Sequence, residues 1–365
     1  MSIQSTRRPG RPRPALSRRA LLAGTAAGAV GLSLAACGKG KKAGSQADSK
    51  TVTVVTHDSF HVSEDLQKAF TSETGYTLKI ATSGDAGALV NKLVLTKDAP
   101  LGDAVFGIDN TYATRALDQG VIDTSATVTL PKGAESYVVA DTPALAPIDV
   151  GDVCLNIDTG YFTGKGLTPP ATFEDLTKPE YKGLLVAINP TNSSPGMAWL
   201  LATIGHFGAG SFADYWKQLM ANGARIAEDW SAAYETDFSG SGKGTYPIVV
   251  SYASSPSFTV SKDKSSSTTS ALLDTAFRQV EYAGVLKGAA NPEGGKAFVT
   301  WMLSKAVQED IPGQMYMYPV LPDAALPEAL TKFGPLSKSP VKVDPKEITT
   351  HREEWLNTWT EAVGK

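Results

Sequence analysis

Cysteine and histidine are scarce in this sequence, with two and four residues in a chain of 365. A zinc site with two cysteine ligands would need both Cys37 and Cys154. Zinc sites with two or more cysteine ligands are therefore excluded, because Cys37 lies in a lipidation motif described below. An intramolecular disulfide is possible only if Cys37 stays unmodified. His57 and His61 have no third ligand at a fixed spacing, so we predict neither a metal nor a cofactor. Cys154 is expected to be buried and unreactive.

Motifs of several enzyme and nucleotide-binding classes are also missing. No glycine-rich phosphate loop or dinucleotide fingerprint occurs near Ser193 and Ser194. Neither serine lies in a Gly-x-Ser-x-Gly turn of the hydrolase type. We therefore expect no enzyme, although the paired carboxylates of a glycosidase are defined by their separation in space and stay open.

Positive charge is not in excess. The chain has 34 basic and 37 acidic residues, and six of the arginines lie in residues 1–36, which contain no acidic residue. Without that segment 28 basic residues face the 37 acidic ones, a net charge of −9. This balance does not favour binding to nucleic acid.

Residues 1–36 have the pattern of an export signal. A basic start is followed by the uncharged run 20–36, which is too short to span a bilayer comfortably. The run ends in Leu34-Ala35-Ala36-Cys37, which resembles the lipobox of bacterial lipoproteins, and Ser17-Arg18-Arg19 resembles a twin-arginine signal. We predict that Cys37 is lipidated and holds the protein on the extracytoplasmic face of the cell membrane, with 37–50 as a flexible linker.

Short apolar runs alternate with helical patterns after the linker, which predicts an α/β protein with parallel sheets. The length favours two lobes. Residues 51–56 read as a strand, and Ser63 is expected to cap a helix that ends near Gly75. The serine and threonine run 265–270 is expected to be a solvated loop. Residues 348–363 read as a helix that packs onto a lobe through Trp355 and Trp359.

Loops that follow the predicted strands are the expected place for a ligand. His57-Asp58, Asp85-Ala86 and Asp109 follow strands of the first half of the chain. In the second half, Ser194 reads as the N-cap of a helix with Pro195 at the first helical position, and such a helix start can hold a phosphate or carboxylate.

Two aromatic clusters lie in loop-like surroundings of Ser, Gly and Pro. They are Trp230-Ser231-Ala232-Ala233-Tyr234 and Ser251-Tyr252-Ala253-Ser254-Ser255-Pro256. Flat apolar faces of Trp and Tyr suit a planar or cationic small molecule. Ordinary packing of Trp230 and Tyr252 is the alternative, and the two clusters alone do not decide between them.

Six sequence blocks in order resemble the thiamine-binding proteins of bacterial ABC importers, within the group that also binds polyamines and ferric iron. The blocks are residues 53–60, 107–110, 194–196, 230–234, 251–256 and 317–320. The resemblance implies a two-lobe periplasmic binding protein fold of type II with a ligand cleft between the lobes. It places lobe 1 at 51–148 and 256–312 and lobe 2 at 149–255 and 313–365. It also implies a monomer that delivers thiamine or thiamine phosphates to an ABC permease.

The same resemblance implies the ligand contacts. The matching positions are His57, Asp58, Asp85, Ala86, Ser193, Ser194, Trp230, Tyr252, Ala253, Ser254, Ser255, Pro256 and Tyr316. Three of them differ from the family pattern: His57 stands in place of tyrosine, Tyr316 in place of tryptophan, and Ala86 in place of glycine.

A polyamine or ferric iron is the alternative ligand within the same fold. Ferric-binding relatives present a pair of adjacent tyrosines, whereas Met317 separates Tyr316 from Tyr318 here. Polyamine-binding relatives also use aromatic rings and carboxylates, so residue types alone do not exclude a polyamine.

Overall fold

Apolar, β-branched segments form the strands of one mixed sheet in the computed structural model, which describes residues 50–241 and 243–364. The strands are β1 (Thr51–Thr56), β2 (Thr77–Thr82), β3 (Ala104–Asp109), β4 (Leu145–Asp158), β5 (Leu185–Ile188), β6 (Arg225–Ala227), β7 (Ile248–Tyr252), β8 (Thr269–Val285) and β9 (Tyr318–Pro319). Their order across the sheet is β2-β1-β3-β8-β4-β7-β5-β6, and β9 pairs with β4. The predicted α/β class is confirmed.

Helices cover this sheet. They are α1 (Glu64–Thr74), α2 (Ala86–Leu95), α3 (Ala113–Asp118), α4 (Thr159–Lys165), α5 (Ser194–Phe207), α6 (Phe212–Ala221), α7 (Pro292–Met302), α8 (Lys305–Gln314), α9 (Glu328–Phe333) and α10 (Pro345–Val363). α1 begins after Ser63 and ends at the left-handed Gly75, as predicted, but the Ser63 side chain makes no capping hydrogen bond. Among the described residues no helix is both long and apolar enough for a membrane span.

The sheet is mixed, which corrects the expectation of parallel sheets. β1 pairs in parallel with β2 and β3, and β5 does so with β6 and β7. β8 runs antiparallel to both β3 and β4, and β4 runs antiparallel to β7. The two parallel groups are therefore joined through the long central strands β4 and β8, of 14 and 17 residues.

The serine and threonine run is also corrected at one end. Thr269 and Ser270 belong to β8, where they pair with Asp158 and Ile157 of β4. The composition of this segment predicts a loop because it is rich in serine and threonine. Pairing with β4 supplies the hydrogen bonds that make its end part of a strand. Half-buried Arg278 and fully buried Asp152 form an ion pair between the same two strands, with 3.0 Å between Nη2 and Oδ2.

The C-terminal helix packs as predicted. Trp355 and Trp359 of α10 are buried, and the Trp359 ring meets the Trp216 ring of α6 edge to face at 5.6 Å. Cys154 is fully buried, and burial raises the pKa of its thiol, as expected for an unreactive cysteine. The predicted signal segment 1–36, Cys37 and linker residues 38–49 lie outside the described residues.

Candidate functional site

A small cavity of about 50 Å³ lies where loops from both halves of the chain meet the middle of β8. Twelve residues line it: His57, Ser59, Asp85, Ala86, Ser194, Pro195, Trp230, Tyr252, Glu281, Met315, Tyr316 and Met317. Seven of them are predicted site residues, contributed by the end of β1, the starts of α2 and α5, the end of β7, and the segments that follow β6 and α8. The topology thus brings distant parts of the sequence together at one point.

Trp230 forms an aromatic wall of the cavity. Its indole stacks on the ring of Tyr234, with 5.1 Å between centroids and 10° between planes, and its Nε1 donates a hydrogen bond to Ser251 Oγ at 3.0 Å. Tyr234 is buried and packs in turn on Phe238. Two contacts therefore fix the orientation of Trp230, while one face of the indole is left toward the cavity.

Tyr252 reaches the cavity from the end of β7, and the loop after it lies beneath. The Tyr252 hydroxyl donates to Gln279 Oε1 at 3.4 Å, and burial raises the pKa of Tyr252 well above its usual range. Ser255 Oγ accepts from the Tyr252 backbone N–H at 3.3 Å and pairs with Ser251 Oγ at 2.9 Å. Residues 253–256 are buried and do not line the cavity. Their contact with a ligand stays a prediction, and in this structure Ser255 holds the backbone of Tyr252.

Asp85 connects three elements at the cavity wall. Its Oδ1 accepts from the backbone N–H groups of Ala86, at 2.6 Å, and Ser194, at 3.2 Å, and its Oδ2 accepts from that of Trp230, at 3.4 Å. Burial raises the pKa of Asp85, and the hydrogen bonds from Ser193, Ala86 and Ser194 oppose that rise. Ala86 is the first residue of α2 and is buried, so the methyl group that replaces glycine is accommodated.

The start of α5 lies one residue earlier than predicted. Ser193, not Ser194, is the N-cap, and its Oγ accepts from Gly196 N at 3.4 Å. Ser194 is the first helical residue, and its hydroxyl donates to Asp109 Oδ2. The helix start is therefore occupied by the protein's own groups: Ser193 Oγ on one N–H and Asp85 on another.

His57 and Tyr316, which depart from the family pattern, both line the cavity. The His57 ring lies against β3 at Gly107, where a Cβ atom would come within 2.0 Å of it; Gly107 also has a φ of 97°, which favours glycine. Tyr316 has a φ of 65° and stacks on Phe258, with 3.4 Å between ring centroids. Asp58 does not line the cavity; its Oδ1 accepts from Gly84 N at 2.9 Å.

Glu281 is the charged lining residue that sequence reasoning missed. It lies in the middle of β8 and is 5% exposed. Gln279 and Glu281 alternate with Val280 and Tyr282, and all four side chains are buried. Polar residues are unusual in a buried central strand, so this alternation was the sequence signal that could have pointed to Glu281. In residues 50–241 and 243–364, no group of three or more His, Cys, Asp or Glu side chains is arranged to hold a metal ion.

A family model described as bacterial extracellular solute-binding protein matches residues 103–334. The thiamine-binding periplasmic protein of Salmonella typhimurium is 27% identical over 326 residues, which cover 86% of this chain and 94% of that protein. The protein of the same name from Escherichia coli is 27% identical over 324 residues, with the same two coverages.

Comparison with solved structures also shows similarity to periplasmic binding proteins. A periplasmic thiamin binding protein superposes with a TM-score of 0.75 at 25% identity, covering 86% of this chain and 96% of that one. Iron-bound HitA from Pseudomonas aeruginosa superposes with a TM-score of 0.64 at 20% identity, covering 86% and 99%, and this likeness concerns the fold alone.

These findings confirm the resemblance to thiamine-binding periplasmic proteins and the type II periplasmic binding protein fold, with two lobes and a ligand cleft between them. They support a periplasmic solute-binding role. Since the family model spans more than half of the sequence, this chain belongs to the bacterial extracellular solute-binding proteins.

Proposed function

We propose that this protein is an extracytoplasmic lipoprotein of an ABC importer that binds thiamine or its phosphates and delivers them to a membrane permease. One observation carries the ligand: the cavity is lined by the rings of Trp230, Tyr252 and Tyr316 and the carboxylates of Asp85 and Glu281, and its lining contains no lysine or arginine. The names of the relatives point to the same ligand.

Thiamine fits this lining chemically. It carries a permanently charged thiazolium ring and an aminopyrimidine, so it can stack on aromatic faces and donate hydrogen bonds to carboxylates. Each cation–π contact contributes roughly 0.5 to 2 kcal/mol, whereas a nanomolar complex needs about 12 kcal/mol. Hydrogen bonds to the carboxylates and closure around the ligand must therefore supply most of the affinity.

Binding requires the cavity to widen. A space of about 50 Å³ open to water-sized probes holds only a few water molecules, since each needs roughly 10 to 15 Å³ of such space. Trp230 and Tyr316 also line an adjacent pocket of about 390 Å³, so movement of Tyr316 off Phe258 would join the two spaces. Separation of the lobes, assigned as 51–148 with 256–312 and 149–255 with 313–365, would open the same region.

A phosphate group is expected to be tolerated and not required. The N-terminus of α5 is the natural phosphate site near the cavity, but its Ser194 and Gly196 N–H groups already donate to Asp85 and Ser193. The lining has no lysine or arginine and its His57 is paired with Glu281, so a phosphate gains little charge compensation.

Isothermal calorimetry on residues 38–365 tests the proposal. We expect thiamine to bind at micromolar or lower concentration and to raise the melting temperature. Competition with thiamine monophosphate, thiamine diphosphate and spermidine ranks the candidate ligands. Absence of both heat and thermal stabilisation with thiamine would rule the proposal out, and tighter binding of spermidine would replace thiamine by a polyamine.

A further inference from the structure

Three carboxyl groups lie side by side across the centre of the sheet. Glu281 of β8 pairs with Asp109 of β3 on one side and with Asp149 of β4 on the other. Asp109 and Asp149 are fully buried and Glu281 is 5% exposed. Directly opposite residues of antiparallel strands lie on the same face, and like charges there destabilise the sheet unless a proton or a counter-ion separates them.

Asp149 supplies one proton to this row. Neither of its carboxyl oxygens meets an N–H or O–H donor among the described residues. The Glu281 carboxylate is within hydrogen-bonding reach, and burial together with the charge of Glu281 raises the pKa of Asp149 well above its usual range. Asp149 is therefore satisfied when it is protonated and donates to Glu281, which leaves the negative charge on Glu281.

Asp109 is already satisfied within the protein. It accepts from the Ser194 hydroxyl and from both the N–H and the hydroxyl of Thr111, the latter two at 3.0 and 2.7 Å. It does not line the cavity, whereas Glu281 does. Glu281 is thus the member of the row whose charge faces the space for a ligand.

His57 is the protein's own counter-ion for Glu281. Its Nε2 lies 3.3 Å from Glu281 Oε1, but without the alignment of a hydrogen bond. Its Nδ1 accepts from Ser59 N at 3.1 Å, so an imidazolium would have to give up that bond. Burial lowers the pKa of His57, but the charges of Glu281, Asp85 and Asp58 raise it overall, so protonation of His57 beside Glu281 is favoured. This one histidine faces two carboxylates of the lining, Asp85 and Glu281.

We propose that Glu281 is the residue that recognises the positive charge of the ligand, an organic cation held between Glu281 and the aromatic wall of Trp230 and Tyr252. The inference rests on the proposed function and adds to it the residue that selects a cation over an uncharged ring of the same shape. Asp149 keeps its proton beside Glu281, and the cation balances the charge that remains when the single histidine of the lining faces the two carboxylates of Asp85 and Glu281.

The substitution Glu281→Gln removes the charge and keeps the size of the side chain. We expect the affinity for thiamine, measured by calorimetry, to fall about 30-fold or more, as when one partner of a buried charge pair is lost. Asp149→Asn is the matched control. It removes the other carboxyl of the pair at a residue outside the lining, and the new amide still donates to Glu281. The affinity of this variant for thiamine should stay within about threefold of that of the unchanged protein. If E281Q does not fold, Glu281→Asp is the second test variant, because it keeps the charge of the side chain.

A pair of fragments separates recognition of charge from recognition of shape. The uncharged 4-methyl-5-hydroxyethylthiazole is compared with its N-methylated thiazolium. The unchanged protein and E281D should prefer the cation, and E281Q should lose that preference. Equal thiamine binding by E281Q and the unchanged protein would overturn the role of Glu281 and leave the proposed function intact.

The two proposals fail in different ways. If the unchanged protein does not bind thiamine, the proposed function fails, and the fragments together with spermidine still test Glu281. Preference for these cations that disappears in E281Q would support the inference. No preference for a cation in the unchanged protein would overturn it.

Discussion

At the scale of single residues, Trp230 and Tyr234 separate two roles that looked equivalent in the sequence. Both rings belong to one five-residue block, yet Trp230 lines the cavity and Tyr234 lies behind it, stacked on its outer face. Tyr234 is 7% exposed, and its ring packs between Trp230 and Phe238. Tyr234 therefore supports Trp230 through its stacked ring.

Replacement of Trp230 tests its part in recognition. Trp230→Ala should weaken thiamine binding by about tenfold or more, since a desolvated cation–π contact contributes up to roughly 2 kcal/mol. Tyr234→Phe keeps the stacked ring and should leave the affinity unchanged. Calorimetric titration of both variants measures the difference, and wild-type affinity in Trp230→Ala would return Trp230 to a packing role.

Single residues also mark the limit of prediction from the sequence. Asp85, Trp230 and Tyr252 were predicted because each follows a strand or lies in an unusual aromatic block. Glu281 was not, because its position depends on the register of β8 against β3 and β4, and residues 109, 149 and 281 are far apart in the sequence. A pairing of this kind is a tertiary property, and no local pattern contains it.

At the scale of elements, the start of α5 ties the two halves of the site together. Ser194 N donates to Asp85, and the Ser194 hydroxyl donates to Asp109 at the end of β3. Nearby, Ala88 N donates to Asn192 O at 3.1 Å, and the Tyr112 hydroxyl donates to Pro190 O at 2.9 Å. The sequence identified the helix start correctly to within one residue, but it did not reveal that carboxylates of the first half would meet it.

The Ser194 hydroxyl should stabilise the protein in a pH-dependent way. Burial raises the pKa of Asp109 from 3.8 to about 6, and the Ser194 hydrogen bond opposes that rise because it favours the charged form. A raised carboxyl pKa means that the folded state holds the proton more tightly, so this group costs stability as the pH rises from about 4 through 6. Ser194→Ala should therefore lower the free energy of unfolding by about 1 to 3 kcal/mol above pH 6, and by less at lower pH.

Denaturant unfolding at about pH 5 and pH 8 measures this difference. Thr203→Val is a suitable control, because Thr203 is a buried hydroxyl of the same helix that bonds to Leu200 O and Trp216 Nε1, with no carboxylate as a partner. Its loss of stability should be the same at both pH values. A loss in Ser194→Ala that does not change with pH would argue against a stabilising bond to ionised Asp109.

At the scale of the whole molecule, the long strands β4 and β8 join the two parallel groups of the sheet, and β8 contributes Glu281 to the cavity. The sequence predicted only the segments 153–156 and 276–285 of them. Asp149 and Asp152 interrupt the apolar pattern of β4, and Thr269, Ser270 and Thr275 interrupt that of β8 near its start. These polar residues are buried or paired inside the sheet, so hydropathy underestimates the lengths of both strands.

The proposed attachment to the membrane depends on Cys37 alone, and the second cysteine provides its control. Two acyl chains on one residue give stable anchoring, whereas one chain binds only marginally. Cys37→Ser should therefore move the protein from the membrane fraction to the soluble fraction, as measured by fractionation of cells and by the mass of the N-terminal peptide. Cys154→Ala should remain on the membrane, because Cys154 is fully buried and offers no thiol for modification. Retention of Cys37→Ser on the membrane would contradict the lipoprotein assignment, whereas ligand binding is tested separately by calorimetry on residues 38–365.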